Sequence, residues 1–340
     1  MLFPLPMKRL LTGLLFFSTS LFAQETTPLL KSGDRIVLIG NTLLERARLY
    51  GQIETDLQIA AGPSVTGITL RNLAWSGDTV FGDARSYFGT PEEGRERLSK
   101  NLSELRPTVA ILSYGTEAAM SVDSGWTNDA PHAAASAAGL DSSRRLFLEG
   151  YQGLIDRVRA DSGDSLREIV LVSPPPLENL GAPLPDQVQN NQNLASFRDG
   201  IRELAAKNGI RFVDLFAALG GDDFKGTVAN PALTDNGVQY SEAGLGVIAR
   251  EIVKGLGYPE SRLIDSQNPA LAELRAAIIE KNRLFFHRWR PANETYLFLF
   301  RKHEQGQNAK EIPMFDPLIA AEEKKIEGAR TRVFAGLPKN

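Results

Sequence analysis

The chain of 340 residues contains no cysteine. That absence excludes disulfides, thiolate metal ligands, a thiol nucleophile and a lipid-bearing cysteine. Histidine is nearly as scarce. His132, His287 and His303 are the only three, so few side chains titrate naturally near neutral pH. The formal net charge of −3 provides no field that favours nucleic acid or an anionic membrane surface. Beyond the first 23 residues no apolar run is long enough to span a bilayer. Nothing in the pattern asks for a cofactor or a resident metal.

What is present reads as a soluble globular protein, with 42% apolar and 23% charged residues. The N-terminus has the form of a signal peptide over residues 1–23. Lys8-Arg9 supplies a basic region, Leu10 to Phe22 an apolar core, and Ala23 a cleavage point. An exported chain, periplasmic or secreted, is therefore expected, and a lack of thiols suits an oxidising compartment. The remaining length fits one α/β domain of about 200–250 residues with an appendage.

Strand-like and helix-like segments alternate through residues 33–258. Ile36–Ile39, Ile68–Leu73, Val109–Ser113, Ile169–Val172 and Arg211–Leu215 are short apolar runs of the kind buried in parallel sheets. Helical spacing runs from Leu43 to about Ala61, with Leu44, Tyr50, Ile53 and Leu57 near one face. It recurs over Pro91–Leu105, Leu146–Arg159, Phe197–Lys207 and Ser241–Leu256. The alternation predicts a three-layer α/β/α sandwich around a parallel sheet. Two stretches break the rhythm. Ala118–Ser143 and Pro174–Asn193 read as long loops at strand C-termini, where loops are more often functional than connective. Residues 265–335 read as a helical C-terminal appendage that wraps the core or meets a partner. They comprise a helix up to Pro291, a polar and aromatic middle, and a charged terminal helix.

Each strand ends in a distinctive segment. The first gives Gly40-Asn41-Thr42, the second Asn72-Leu73-Ala74-Trp75-Ser76-Gly77-Asp78-Thr79, the third Gly115-Thr116-Glu117. Leu233 to Gly244 precedes the last helix of the unit. In a parallel sheet these ends converge on one crevice.

The order of these blocks resembles the SGNH/GDSL hydrolase superfamily over roughly residues 33–256. The resemblance implies hydrolysis of carboxylic esters, often acyl groups on carbohydrate or lipid. It also implies site positions. Thr42 stands where the family has its nucleophilic serine, and Gly77 where a backbone N–H meets the oxyanion. Glu117 stands at the position of a second, asparagine donor. Asn236, with Asp235 beside it, falls on the aspartate position, and Gln239 on that of the histidine base. Only Gly77 is unchanged.

The substitutions damage the usual mechanism. A hydroxyl is a weak nucleophile without a base to take its proton. The amide of Gln239 does not titrate near neutral pH. The extra methyl of Thr42 restricts its rotamer. An ionised Glu117 would oppose an oxyanion, whereas a protonated one could donate to it if burial raised its pKa.

Plainer readings stand beside these. Thr42 with Glu45 three residues on has the form of a capping box. Gly77-Asp78 fits an ordinary turn, and Gln239 a buried hydrogen-bonding residue. Asp78 and Glu117 could form an acidic pair, and Asp78, Asp83 and Glu117 a carboxylate metal site. In the appendage, His287 or His303 could replace the missing base, or the Arg, Glu and aromatic residues around them could simply pack the tail onto the core. Trp75, Trp126, Tyr114 and Trp289 could form a platform for a sugar ring. The expected function is therefore that of a divergent ester hydrolase acting on a small-molecule or glycan ester. A non-catalytic glycan-binding protein or an interaction module on the same fold is the alternative.

Overall fold

Five short strands carry the alternation that the sequence implies: β1 (Arg35–Gly40), β2 (Thr69–Asn72), β3 (Val109–Ser113), β4 (Glu168–Val172) and β5 (Arg211–Val213). In the computed structural model, which describes residues 27–122, 137–223, 230–264 and 268–336, they form one parallel sheet in the order β2-β1-β3-β4-β5. Residues 1–23, expected to be a signal peptide, and Trp126 and His132 lie outside the described residues.

The helices are α1 (Thr42–Ala47), α2 (Gln52–Ala60), α3 (Pro91–Leu105), α4 (Thr116–Met120), α5 (Ala137–Ser162), α6 (Val188–Asn208), α7 (Leu215–Ala218) and α8 (Glu242–Gly255). The appendage adds α9 (Pro269–Trp289), α10 (Glu294–Leu297), α11 (Lys302–Gln305) and α12 (Phe315–Ala335). Because successive strand residues face opposite sides, Ile36, Leu38, Val109 and Ile111 pack with Leu44, Ile53, Leu57, Leu245 and Ile248 of α1, α2 and α8. Val37, Ile39, Ala110 and Leu112 pack with Leu98, Tyr151, Ile155, Phe197 and Ile201 of α3, α5 and α6. These are the three layers. The strand order reverses between β1 and β3, so their C-terminal ends border the crevice in which such sheets hold ligands.

Three expectations are corrected. The helix expected over Leu43–Ala61 is two, broken at Gly51, whose φ of +67° suits glycine. A Cβ at Gly51 would also lie 3.1 Å from Ile278 and 3.2 Å from Ile279 of α9, so the break lets the appendage approach. The loop expected over Ala118–Ser143 loses its start to α4 and its end to α5. The Pro- and Asn-rich stretch to Asn193 already contains the first turns of α6. There the buried Asn191 accepts from the Leu177 N–H and donates to the Leu177 carbonyl, both at 2.8 Å, and so satisfies the loop backbone.

The appendage wraps the core. Leu271, Leu274 and Ile278 of α9 and Ile326, Ala329 and Val333 of α12 enclose Ile59 of α2. At the sheet's open edge the fully buried Lys281 ammonium donates to the Leu70 carbonyl of β2 at 2.8 Å and pairs with Glu54 at 2.6 Å. This covers an edge that would otherwise be a template for further pairing. Arg330 of α12 donates to the carbonyls of Gln58 at 2.9 Å and Val65 at 2.6 Å.

Candidate active site

The crevice begins where β1 stops. A Cβ at Gly40 would sit 2.5 Å from the Ser113 carbonyl, so only glycine lets the ends of β1 and β3 meet this closely. Asn41 follows, buried and extended, and its side-chain amide donates to the Glu117 carboxylate on the first turn of α4. Thr42 is the first residue of α1. The expected capping box is absent: Asn41 holds the N-cap position, and its side chain is turned to Glu117 instead of the helix. The Glu45 carboxylate serves elsewhere. It accepts from the Ser76 N–H and pairs with Arg290 of the appendage at 3.2 Å.

Burial pushes the Glu117 carboxyl up to about 7, and the nearby charge of Asp78 adds to the rise. The group's own backbone N–H and the Asn41 amide oppose it. Glu117 is therefore poised between its two forms near neutral pH.

Thr42, Glu117 and Gln239 line one cavity of about 260 Å³, with Asn41 and Arg46 beside them and an apolar wall that includes Leu43, Met120, Leu177 and Val238. Three positions that are far apart in sequence thus meet at the switch point of the sheet. Their chemistry is not that of a triad. Among the described residues the Thr42 hydroxyl makes no hydrogen bond, so the nucleophile–base contact of such sites is missing. Gln239 is exposed at the rim rather than buried. Its backbone is held by Asn236, whose Oδ1 accepts from the N–H groups of Val238 at 3.1 Å and Gln239 at 2.8 Å. Asn236 thus closes an Asx turn and orients no base.

The other expected positions lie outside this cavity. Asp235 is exposed and pairs with Arg46 at 3.2 Å, so it too orients no base. Gly77 occupies a left-handed turn with φ +77° and open space around its α-carbon. Asp78 is buried, accepting from Arg85 Nε at 2.7 Å and from the Tyr114 hydroxyl at 2.9 Å. Asp83 instead accepts from the Thr79 hydroxyl at 2.5 Å. Among the described residues no group of three His, Asp or Glu could hold a metal, and the proposed carboxylate set is not assembled.

The tail histidines do not reach the cavity. His287 packs between the Phe286 and Phe315 rings, at 5.8 and 6.2 Å, and burial with the nearby Arg283 and Arg48 charges lowers its pKa. His303 is exposed, 3.7 Å from Glu304. The aromatic platform is also corrected. Tyr114 is buried and its hydroxyl is spent on Asp78, while Trp75 and Trp289, edge-on at 5.6 Å, border a separate cavity of about 430 Å³, so the rings do not form one platform.

Asn41, Arg46 and Glu178 were not legible as site residues. Asn41 sits inside the Gly-Asn-Thr turn, which was the available signal. Glu178 lies in a proline-rich loop with no periodicity. Its buried carboxylate accepts from the N–H groups of Leu233 and Thr234 at 3.0 and 2.7 Å and fixes the loop that carries Gln239.

The family model for GDSL-like lipases and acylhydrolases matches residues 44–238, more than half of the chain. This chain belongs to the GDSL-like lipase/acylhydrolase family. Among solved structures it is similar to a gut microbial diltiazem-metabolizing enzyme, with 19% identity and a TM-score of 0.51 over 68% of this chain and 48% of that one. The chain thus spans about half the length of that enzyme, and the likeness is one of fold. An acetylxylan esterase from Geobacillus stearothermophilus aligns at 17% identity and a TM-score of 0.48, over 69% of this chain and 99% of that one. No curated protein matches.

Proposed function

We propose that this protein is an exported hydrolase of small carboxylic esters that works without a histidine, with Glu117 as its general base. The observation that carries the reading is the placement of Glu117. Its carboxyl lines the switch-point cavity beside Thr42 and Asn41 and titrates at about 7. A base with a pKa near the working pH is the most effective kind.

In this mechanism the Glu117 carboxylate takes a proton from a water as that water attacks the ester carbonyl. The tetrahedral intermediate collapses, the C–O bond to the alcohol breaks, and the leaving alkoxide takes the proton back from Glu117. Water is preferred to Thr42 as nucleophile because no base engages the Thr42 hydroxyl. The amides of Asn41 and Gln239 are the neutral donors available to the developing oxyanion. Without a preformed nucleophile–base couple, turnover is expected to be slow. The absence of that couple also favours a second reading, a non-catalytic protein that binds an acylated glycan in the same cavity.

Hydrolysis of a small activated acetate ester by the mature protein separates them, with Thr42→Ala, Glu117→Gln and heat-inactivated protein in parallel. Turnover that survives Thr42→Ala but falls at least about a hundredfold in Glu117→Gln supports the water mechanism. Loss in Thr42→Ala moves the nucleophile to Thr42. Background rates in all samples, with retained binding of an acetylated oligosaccharide, support the second reading.

A further inference from the structure

The C-terminal appendage holds α1 and the turn after β2 together through a residue that the mechanism above does not use. Arg290 follows α9. Its guanidinium pairs with Glu45 of α1 at 3.2 Å and lies 3.6 Å over the Trp75 ring. The same Trp75 ring meets the Tyr87 ring edge-on at 5.2 Å. Glu45 in turn accepts from the Ser76 N–H, next to Gly77. One side chain of the appendage therefore touches the helix that starts at Thr42 and the turn after β2, whose Trp75 abuts Tyr87, a non-glycine residue with φ of +52°.

We infer that Arg290 is a positioning residue, a strap from the appendage that fixes α1 and the Ser76–Gly77 turn relative to each other through Glu45. The chemistry fits the task. A planar guanidinium can pair with a carboxylate while it stacks on an indole, which an ammonium does poorly. Neighbouring contacts brace the C-terminal end of the same helix: Arg48 lies 3.7 Å over the Phe286 ring, and Asn282 Nδ2 donates to the Arg48 carbonyl at 3.3 Å. The geometry of the strap is independent of the reaction. Its consequence for turnover rests on the reading of Glu117 given above, because Asn41 and Thr42 are presented to the cavity at the start of α1.

The test uses the full mature chain with Arg290→Met, Arg290→Lys and Glu45→Gln, read by amide hydrogen exchange and by ester hydrolysis. Exchange at Ser76 and Gly77 should rise about five- to tenfold in Arg290→Met and Glu45→Gln, with α9 exchange unchanged, and Arg290→Lys should restore only part of the protection. Where wild type turns over, kcat should fall about tenfold with KM little changed. Exchange at Ser76 and Gly77 within twofold of wild type in both Arg290→Met and Glu45→Gln overturns the strap. If wild type shows no turnover, the proposed activity fails, and the exchange result still decides the strap.

Discussion

The Asn41 amide donates to the Glu117 carboxylate across the switch point of the sheet, joining the end of β1 to the first turn of α4. The contact removes Asn41 from its N-cap role and leaves Thr42 without a base. It also stabilises the charged form of Glu117, yet burial and the Asp78 charge outweigh it and keep the pKa near 7. The polar contact at the mouth of the crevice is thus an amide–carboxyl couple.

The first prediction is a pH dependence with two signs. A general base acts when deprotonated, so ester turnover should rise with pH through about 7 and level off above it. Stability should move the other way. Glu117 holds its proton more tightly folded than unfolded, so its contribution is fully present below the ordinary carboxylate pKa and lost as pH rises through about 7. The loss should be about 1–2 kcal/mol once partial solvent screening is allowed for. Denaturant unfolding of wild type and Glu117→Gln from pH 4 to 8 checks this: the fall in stability should be smaller in the second by about that amount, the remainder coming from other buried carboxyls such as Asp56, which burial pushes up to about 6.

Asp78 supplies the second prediction. Its carboxylate is the counter-ion of the fully buried Arg85 and accepts from Tyr114. Asp78→Asn leaves a buried cation without its charge partner, and should cost about 3–5 kcal/mol in denaturant unfolding. It also removes a charge that raises the Glu117 pKa. Carboxyl titration by NMR should therefore move Glu117 toward the ordinary range, and an unchanged midpoint would contradict the assignment.

Much of this was legible in the sequence, for identifiable reasons. The strand Val109–Ser113 and the helix Pro91–Leu105 have the predicted bounds because a buried apolar run and a Thr90–Glu93 capping box define them locally. The convergence of Thr42, Glu117 and Gln239 followed from block order and a parallel sheet. What local pattern could not show was long-range. Gly51 breaks a helix partly to admit α9, and Asn191 makes helix from an Asn-rich tract by satisfying Leu177. The partner of Asn41 lies 76 residues away.

Gly40 gives a third prediction, on the packing that creates the crevice. Gly40→Ala would place a methyl 2.5 Å from the Ser113 carbonyl, a backbone atom that cannot swing aside. The strand ends must part, at a cost of about 1–3 kcal/mol. Asn41 and Glu117 sit just beyond those ends, so the Glu117 titration should shift as well. A variant with wild-type stability would show that the two strands separate freely here.

The fourth prediction concerns the buried pair at the sheet edge. Burial pushes Glu54 up and Lys281 down, while each favours the charged form of the other. Lys281→Met removes the ammonium from Glu54, from the Leu70 carbonyl and from Asn282 Oδ1 at 2.8 Å. The Leu70 carbonyl keeps the Arg71 Nη1 donor at 3.0 Å, so the orphaned buried carboxyl should dominate a cost of about 3–5 kcal/mol. Neutral replacement of both partners, Lys281→Met with Glu54→Leu, removes the orphaned acid and should recover most of that loss, leaving the lost ammonium contacts to the Leu70 carbonyl and Asn282 as the residual cost. If the double variant is no more stable than Lys281→Met alone, the stabilising element is the ammonium-to-carbonyl contact that caps β2, and the ion pair contributes little beyond it.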